Sequence, residues 1–228
     1  MKNNIKMFIL LYAIALITVS SHAKDGWEIT ANFGTSFSKD ETLTIKGSGG
    51  KIVLNNANFE TKPFSSPLYY GVRVSRWEND SAWEVEHIHQ KIYINDLPEE
   101  VQHFEITDGY NLFYLNHAWN LEKYGIITRI GAGFVVAHPQ ITVRDVETYT
   151  SGGGAIPMIW DTSSGYQWAG FSGQLAVEKE FQVYENWYIS LEGKLTHSKS
   201  DIDLENGSVE VPNTALHLHF GIKYQFNQ

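Results

Sequence analysis

The stretch ALHLHFGIKYQF, residues 215–226, decides the fold. Leu216, Leu218, Phe220, Ile222, Tyr224 and Phe226 share one parity, and His217, His219, Gly221, Lys223 and Gln225 share the other. Successive side chains of a strand point to opposite faces, whereas a helix repeats every 3.6 residues and would scatter these apolar positions around its axis. The segment therefore reads as a strand with one apolar and one polar face.

Upstream, seven more segments repeat the pattern. WEITANFG sets Trp27, Ile29, Ala31 and Phe33 against Glu28, Thr30, Asn32 and Gly34; LYYGVRVS sets Leu68, Tyr70, Val72 and Val74 against Tyr69, Gly71, Arg73 and Ser75. In WEVEHIHQKIYI, Trp83 and Val85 oppose Glu84 and Glu86, and the pattern blurs after His87. FEITDGYNLFY places Phe104, Ile106, Tyr110, Leu112 and Tyr114 on the apolar side and Glu105, Thr107, Gly109 and Asn111 on the polar one. The other three, IITRIGAGFVV, AGFSGQLAVE and WYISLEGKLTH, put Arg129, Gln174, Glu178, Glu192 and Lys194 on their polar faces.

The connections choose the architecture. Short stretches around WENDSA, NHAWNLEKYG and QVYEN join segments two to three, four to five and six to seven, and the remaining joints are longer, above all Ser38 to Pro67 and His138 to Tyr166. A soluble sandwich uses similar turns at both ends. This alternation predicts an all-β fold, an eight-stranded antiparallel transmembrane up-and-down β-barrel with short periplasmic turns and long extracellular loops. Closure also removes the edges that an apolar-faced sheet would offer for aggregation. Within the first long loop, ETLTIK and KIVLNN flank Gly-Ser-Gly-Gly and predict a further hairpin.

Composition agrees once the two faces are separated. The 228 residues are 43% hydrophobic, 14% aromatic and 19% charged, with no cysteine and a net charge of -9. These values exclude a disulfide scaffold, a disordered chain and, by their acidic balance, a nucleic-acid partner. The mean hydropathy of -0.26 excludes a helical membrane bundle, but a barrel hides its apolar half behind its polar one. At the N-terminus, Lys2 and Lys6 precede an apolar run from Met7 to Val19 and the small-residue site Ser21-His22-Ala23. That order predicts a Sec-type signal peptide over 1–23 and a barrel domain over 24–228, exported to the outer membrane of a Gram-negative bacterium. The expected partners are the lipid bilayer and its lipopolysaccharide, and the expected state is a monomer.

Trp27, Trp77, Trp83, Trp119, Trp187, Tyr224 and Phe226 gather at the short-turn end, as a periplasmic aromatic girdle would. The lumen then receives Glu28, Arg73, Glu84, Glu86, Glu105, Asn111 and Arg129, with Gln174, Glu178, Glu192, Lys194, His217, His219 and Lys223. Eight strands leave room for little more than side chains, so this set reads as a packed plug of ion pairs and hydrogen bonds. The other reading is a metal at His217 and His219, for which no third ligand is apparent.

One cluster breaks the rule for a lipid-facing wall. Outward parity carried on from Trp83 gives His87, His89, Lys91 and Tyr93, and Asp108 shares the parity of Phe104 and Ile106. A hairpin turning near Leu97 to Glu99 would set His89 about opposite Asp108. These are headgroup-level polar residues, or residues turned inward by a β-bulge, or a site facing the outer leaflet. In the last case His with Asp serves as general base and orienter, and His and Lys meet phosphate. Arg144, at the opening of the third long loop, is a further candidate for phosphate. The glycine run in SGGGAIPMIW reads as a loop tip, since no helix follows it. GxSxG, HExxH, Rossmann and P-loop patterns are absent.

The runs SSPLYYGVRVSRW, HQKIYI, FEITDGYNL, RIGAGFVVAHPQITV, GYQWAGFSGQLA, EGKLTHSKSDIDL and VPNTALHL resemble outer-membrane barrels that include the rhizobial-type lipid A oxidases, over most of the chain after residue 23. Those enzymes convert the proximal glucosamine of lipid A to 2-aminogluconate with molecular oxygen. The resemblance implies lipid A as substrate and oxygen as oxidant, and leaves room for a divalent metal. Polarity and position in the matching segments single out His89, Lys91, Thr107, Asp108, Asn111, His138 and Lys194 as residues to test. Against this enzyme stands a non-enzymatic barrel that stabilises the envelope or presents its loops to ligands or other cells. An acyl hydrolase would need an outward serine beside a histidine, and Ser172 and Ser190 point inward by parity.

Overall fold

A computed structural model describes residues 23–47, 49–148 and 165–226. The expected signal peptide, apart from Ala23, and the SGGGAIPMIW stretch lie outside these residues. In chain order the strands are β1 (Gly26–Ser38), β2 (Glu41–Gly47), β3 (Gly50–Ala57), β4 (Phe59–Glu60), β5 (Tyr70–Glu78), β6 (Ser81–Ile94) and β7 (Val101–Leu121). After a 3-10 turn (Glu122–Tyr124) come β8 (Ile126–Ala137), β9 (Gln140–Val143), β10 (Val146–Thr148), β11 (Gln167–Tyr184), β12 (Trp187–Leu204) and β13 (Gly207–Phe226).

Eight of these close a ring of antiparallel neighbours in the order β1, β5, β6, β7, β8, β11, β12, β13, with β13 returning to β1 through pairs such as Trp27 with Phe226 and Phe33 with Phe220. The eight-stranded transmembrane barrel expected from the alternation is therefore the fold. At the short-turn end β5 and β6 are joined by Asn79 and Asp80, both at positive φ, the geometry of a tight hairpin whose twist matches its strands. At the other end β2 and β3 form the expected hairpin, and β2 pairs with the extension of β13 through Ile45 and Val209.

The wall changes character along its height. A membrane-spanning strand needs roughly 9–11 residues, yet β12 has 18, β13 has 20 and β7 has 21. In the lower part of β12, Trp187, Leu191 and Leu195 face out while Ser190, Glu192 and Lys194 are buried inside. Higher up, Lys199, Asp201 and Asp203 face out and Ile202 and Leu204 are buried. The faces thus exchange polarity where the chain leaves the bilayer: lipid outside demands a polar interior, and water outside demands an apolar one. The upper interior is a hydrophobic core that joins Leu43, Ile45, Ile52 and Leu54 of the β2–β3 hairpin to Ile88, Leu112, Val135, Ile202 and Val211.

Several expectations are corrected by this inversion. Tyr110, Leu112 and Tyr114 face the interior, not the lipid; the Tyr110 hydroxyl meets Ser198 and Ser200 at 2.7 and 2.6 Å, and that of Tyr114 meets Ser172 at 2.7 Å. Asn111 consequently lies on the outer wall, and Glu105 is half-buried beside His103 rather than lumenal. Trp77 is buried, following the inward parity of Arg73 and Ser75, whereas Trp27, Trp83, Trp119, Trp187 and Phe226 stand exposed as a girdle should. The joints from β6 to β7 and from β12 to β13 are short, because their strands continue above the bilayer.

Candidate functional site

Inside the lower barrel the charges form one network. Arg73 bonds Glu86, Glu178 and Glu192 at 3.2, 2.5 and 2.9 Å, and Arg129 bonds Glu84 and Glu178 at 2.9 and 3.1 Å and also Glu192. Lys194 bonds Glu86, and Lys223 lies 3.0 Å from Glu28 and 2.8 Å from Glu180. This is the packed plug that the narrow bore implies. It absorbs Lys194, which lies on the opposite side of the wall from the other candidates.

On the outside, rings of β5, β6, β7, β8 and β11 follow one another around the wall. His87 stacks on Phe113 at 4.6 Å between centroids, Phe113 on Phe134 at 5.2 Å and Phe134 on Trp168 at 4.8 Å, with Tyr70 edge-on to His87 at 5.7 Å. An aromatic band of this kind belongs at a membrane interface. The outward residues next along β6 and β7, away from the short turns, are polar. His89 pairs with Asn111 in register and stacks on Tyr70 at 5.1 Å. His87 Nε2 and Asn111 Oδ1 are 2.9 Å apart, a hydrogen bond in which the ring N–H donates. His89 is only 5% exposed, and the backbone of Leu68 and of Asp108 lies against its ring. Lys91 donates from Nζ to the Ser65 carbonyl at 2.7 Å.

A β-bulge positions the rest. Gln90 pairs with Tyr110 and Ile92 with Ile106, so two steps on β6 oppose four on β7. The excess contains Gly109 at φ 133°, where a Cβ would lie 1.9 Å from the Asn111 amide, so only glycine fits. Thr107 is buried within the bulge, while the Asp108 side chain remains 46% exposed. The Asp108 carboxylate accepts from Gln140 Nε2 at 3.2 Å and lies 3.3 Å from His138 Nδ1. The Tyr166 hydroxyl donates to the Asp108 carbonyl at 2.7 Å, and its ring is 4.9 Å from that of His138.

The fold thus gathers His89, Lys91, Asn111, Asp108 and His138 near one another on the outer wall. The pairing differs from the expected one: Asp108 meets His138, and His89 lies opposite Asn111. Tyr70, Gln140 and Tyr166 were not foreseen, although Asp108-Gly109 inside a strand is itself a bulge signal.

A divalent metal does not fit these residues. Among the described residues the group of ligand atoms near enough to share an ion is Glu86, Glu192 and His219, inside the lumen. There the Lys194 ammonium already sits against Glu86 and 3.1 Å from Glu192. His217 and His219 instead share the Tyr69 hydroxyl, each at 2.6 Å.

No family model and no curated protein matches the chain. Among solved structures, that of the outer membrane protein AlkL in lipid bilayers aligns with a TM-score of 0.53 at 13% identity, covering 92% of this chain and 95% of that one. The fold is that of an outer-membrane β-barrel. OprG from Pseudomonas aeruginosa aligns at 0.48 and 12% identity over 91% of this chain and 100% of its own, and Ail of Yersinia pestis at 0.43 and 8% over 88% and 100%. Likenesses this distant speak to the fold alone.

Proposed function

We propose that this protein resides in the outer membrane of a Gram-negative bacterium and modifies the lipid A headgroup of lipopolysaccharide, as an oxidase of its proximal glucosamine. One observation carries the reading: His89, Asn111, Asp108 and His138 break the lipid-facing pattern together where the aromatic band gives way to polar residues, and the Asp108 carboxylate among them is open at the surface. A sugar headgroup at that height presents hydroxyls and phosphates. The exposed Asp108 carboxylate, 3.3 Å from His138 Nδ1, is placed to accept from a sugar hydroxyl, and molecular oxygen is the oxidant that takes the electrons. Asn111, held by His87, and His89, stacked on Tyr70, line the wall beside it. Ser172 is inside, bonded to Tyr114, and Ser190 is buried, so neither serves as an outward nucleophile for acyl hydrolysis.

The test is mass spectrometry of lipid A from aerated cells with and without the protein. The expected result is a species heavier by one oxygen in the sugar backbone that depends on air, disappears in Asp108→Asn and falls in His89→Ala, but persists in His197→Ala on the far wall. Identical lipid A in every sample overturns the enzymatic reading and leaves a barrel that acts by its surface.

A further inference from the structure

The periplasmic rim holds a second arrangement that the lipid A reading does not use. The backbone nitrogen of Lys24 donates to Asp80 Oδ1 at 2.8 Å, and the same carboxylate oxygen accepts from Asn120 Nδ2 at 2.8 Å. The Asp80 backbone nitrogen returns a bond to the Lys24 carbonyl at 3.2 Å. The side chain of Lys24 turns the other way, into the barrel, where Nζ bonds Glu28 at 2.6 Å and Glu180 at 2.7 Å and lies 4.9 Å from the centre of the Trp77 ring. Lys24 is buried, and Ala23, one residue earlier, is exposed.

We infer that the α-ammonium of Lys24, made by the cut expected after Ala23, forms an ion pair with Asp80 that fastens the new N-terminus to the β5–β6 turn. Water adds across the Ala23–Lys24 amide; Ala23 leaves with the carboxylate, and Lys24 keeps the nitrogen, which takes up a proton. The small-residue run Ser21-His22-Ala23 suits the cut. The geometry chooses the bond. A cut one residue earlier would place Ala23 between the amine and Asp80. A cut one residue later would remove one of the two ammoniums, those of Lys24 and Lys223, that bridge Glu28 and Glu180. After a cut at this bond, a neutral N–H donor becomes a charged one aimed at a waiting carboxylate, and charge-assisted bonds are about twice as strong as neutral ones.

The experiment uses the protein extracted from outer membranes. Its N-terminal peptide should begin at Lys24. Acylation of the α-nitrogen by a water-soluble amine reagent at neutral pH, read from the mass of that peptide, should run roughly fivefold slower than in Asp80→Asn. Should Asp80→Asn fail to reach the membrane, a chain refolded with one extra residue before Lys24 serves instead, since its amine is displaced from Asp80 and should acylate at the faster rate. An N-terminus elsewhere, or equal rates with and without the Asp80 partner, overturns the inference.

Discussion

Arg73 and His89 are both buried on a membrane barrel, and they make opposite predictions. Arg73 answers Glu86, Glu178 and Glu192 together, so Arg73→Leu takes one cation partner from each of three carboxylates in a place that water does not reach. Breaking a buried pair from one side costs about 3–5 kcal/mol, and the urea midpoint of the barrel refolded in bilayers should fall accordingly. Lys46 and Glu210 are paired on the surface above the membrane, and Lys46→Ala should leave that midpoint where it is. His89 is the reverse case. His89→Phe keeps a flat ring against Tyr70 and exchanges a buried polar ring for an apolar one of similar shape. The variant should be as stable as the parent or more so, and impaired on lipid A; a clear loss of stability would make His89 an ordinary structural residue.

At the scale of the strand, the decisive feature is the exchange of faces. Along β13, outward Leu216, Leu218, Phe220 and Ile222 give way to Glu210 and Ser208, and inward His217 and His219 give way to Val211 and Val209. Leu218→Arg should therefore destabilise by about 2–4 kcal/mol, while Ser208→Arg, on the same face roughly 33 Å further along the strand, should not register in the same unfolding curve. The exchange also sets what is legible in the sequence. Within the bilayer the period of two reads directly, and residues 215–226 suffice for it. Above the bilayer the same period continues with the meaning of each parity reversed, so the ends of β12 and β13 resemble loops. In FEITDGYNLFY, Phe104 and Ile106 are apolar because they fill the upper core, and equating apolar with outward carries Tyr110 and Tyr114 to the wrong side. The site is legible where charge breaks the lipid-facing pattern, at His89, Asp108 and His138. Tyr70 and Tyr166 do not stand out, because tyrosine is expected on the outside of a barrel.

For the molecule as a whole, the interior is filled at every level by a different device. Lys24 and Trp77 fill the periplasmic end, the arginine and lysine network fills the middle, and the hydrophobic core under the β2–β3 hairpin fills the top. The ionic layer involves neither β2 nor β3, so the top can be removed without touching it. Replacing residues 41–57 by a short flexible linker would uncover Ile202, Val209 and Val211, yet leave Arg73, Arg129, Lys194 and Lys223 with all their partners. The shortened protein should still insert and migrate as a folded barrel on unheated gels, with its upper strands more open to protease. In planar bilayers both it and the parent should show no conductance steps, since buried ion pairs rather than the hairpin block the bore. Steady single-channel currents in the shortened protein alone would place the seal in the upper core instead, and currents in the parent would mean that the ionic layer opens.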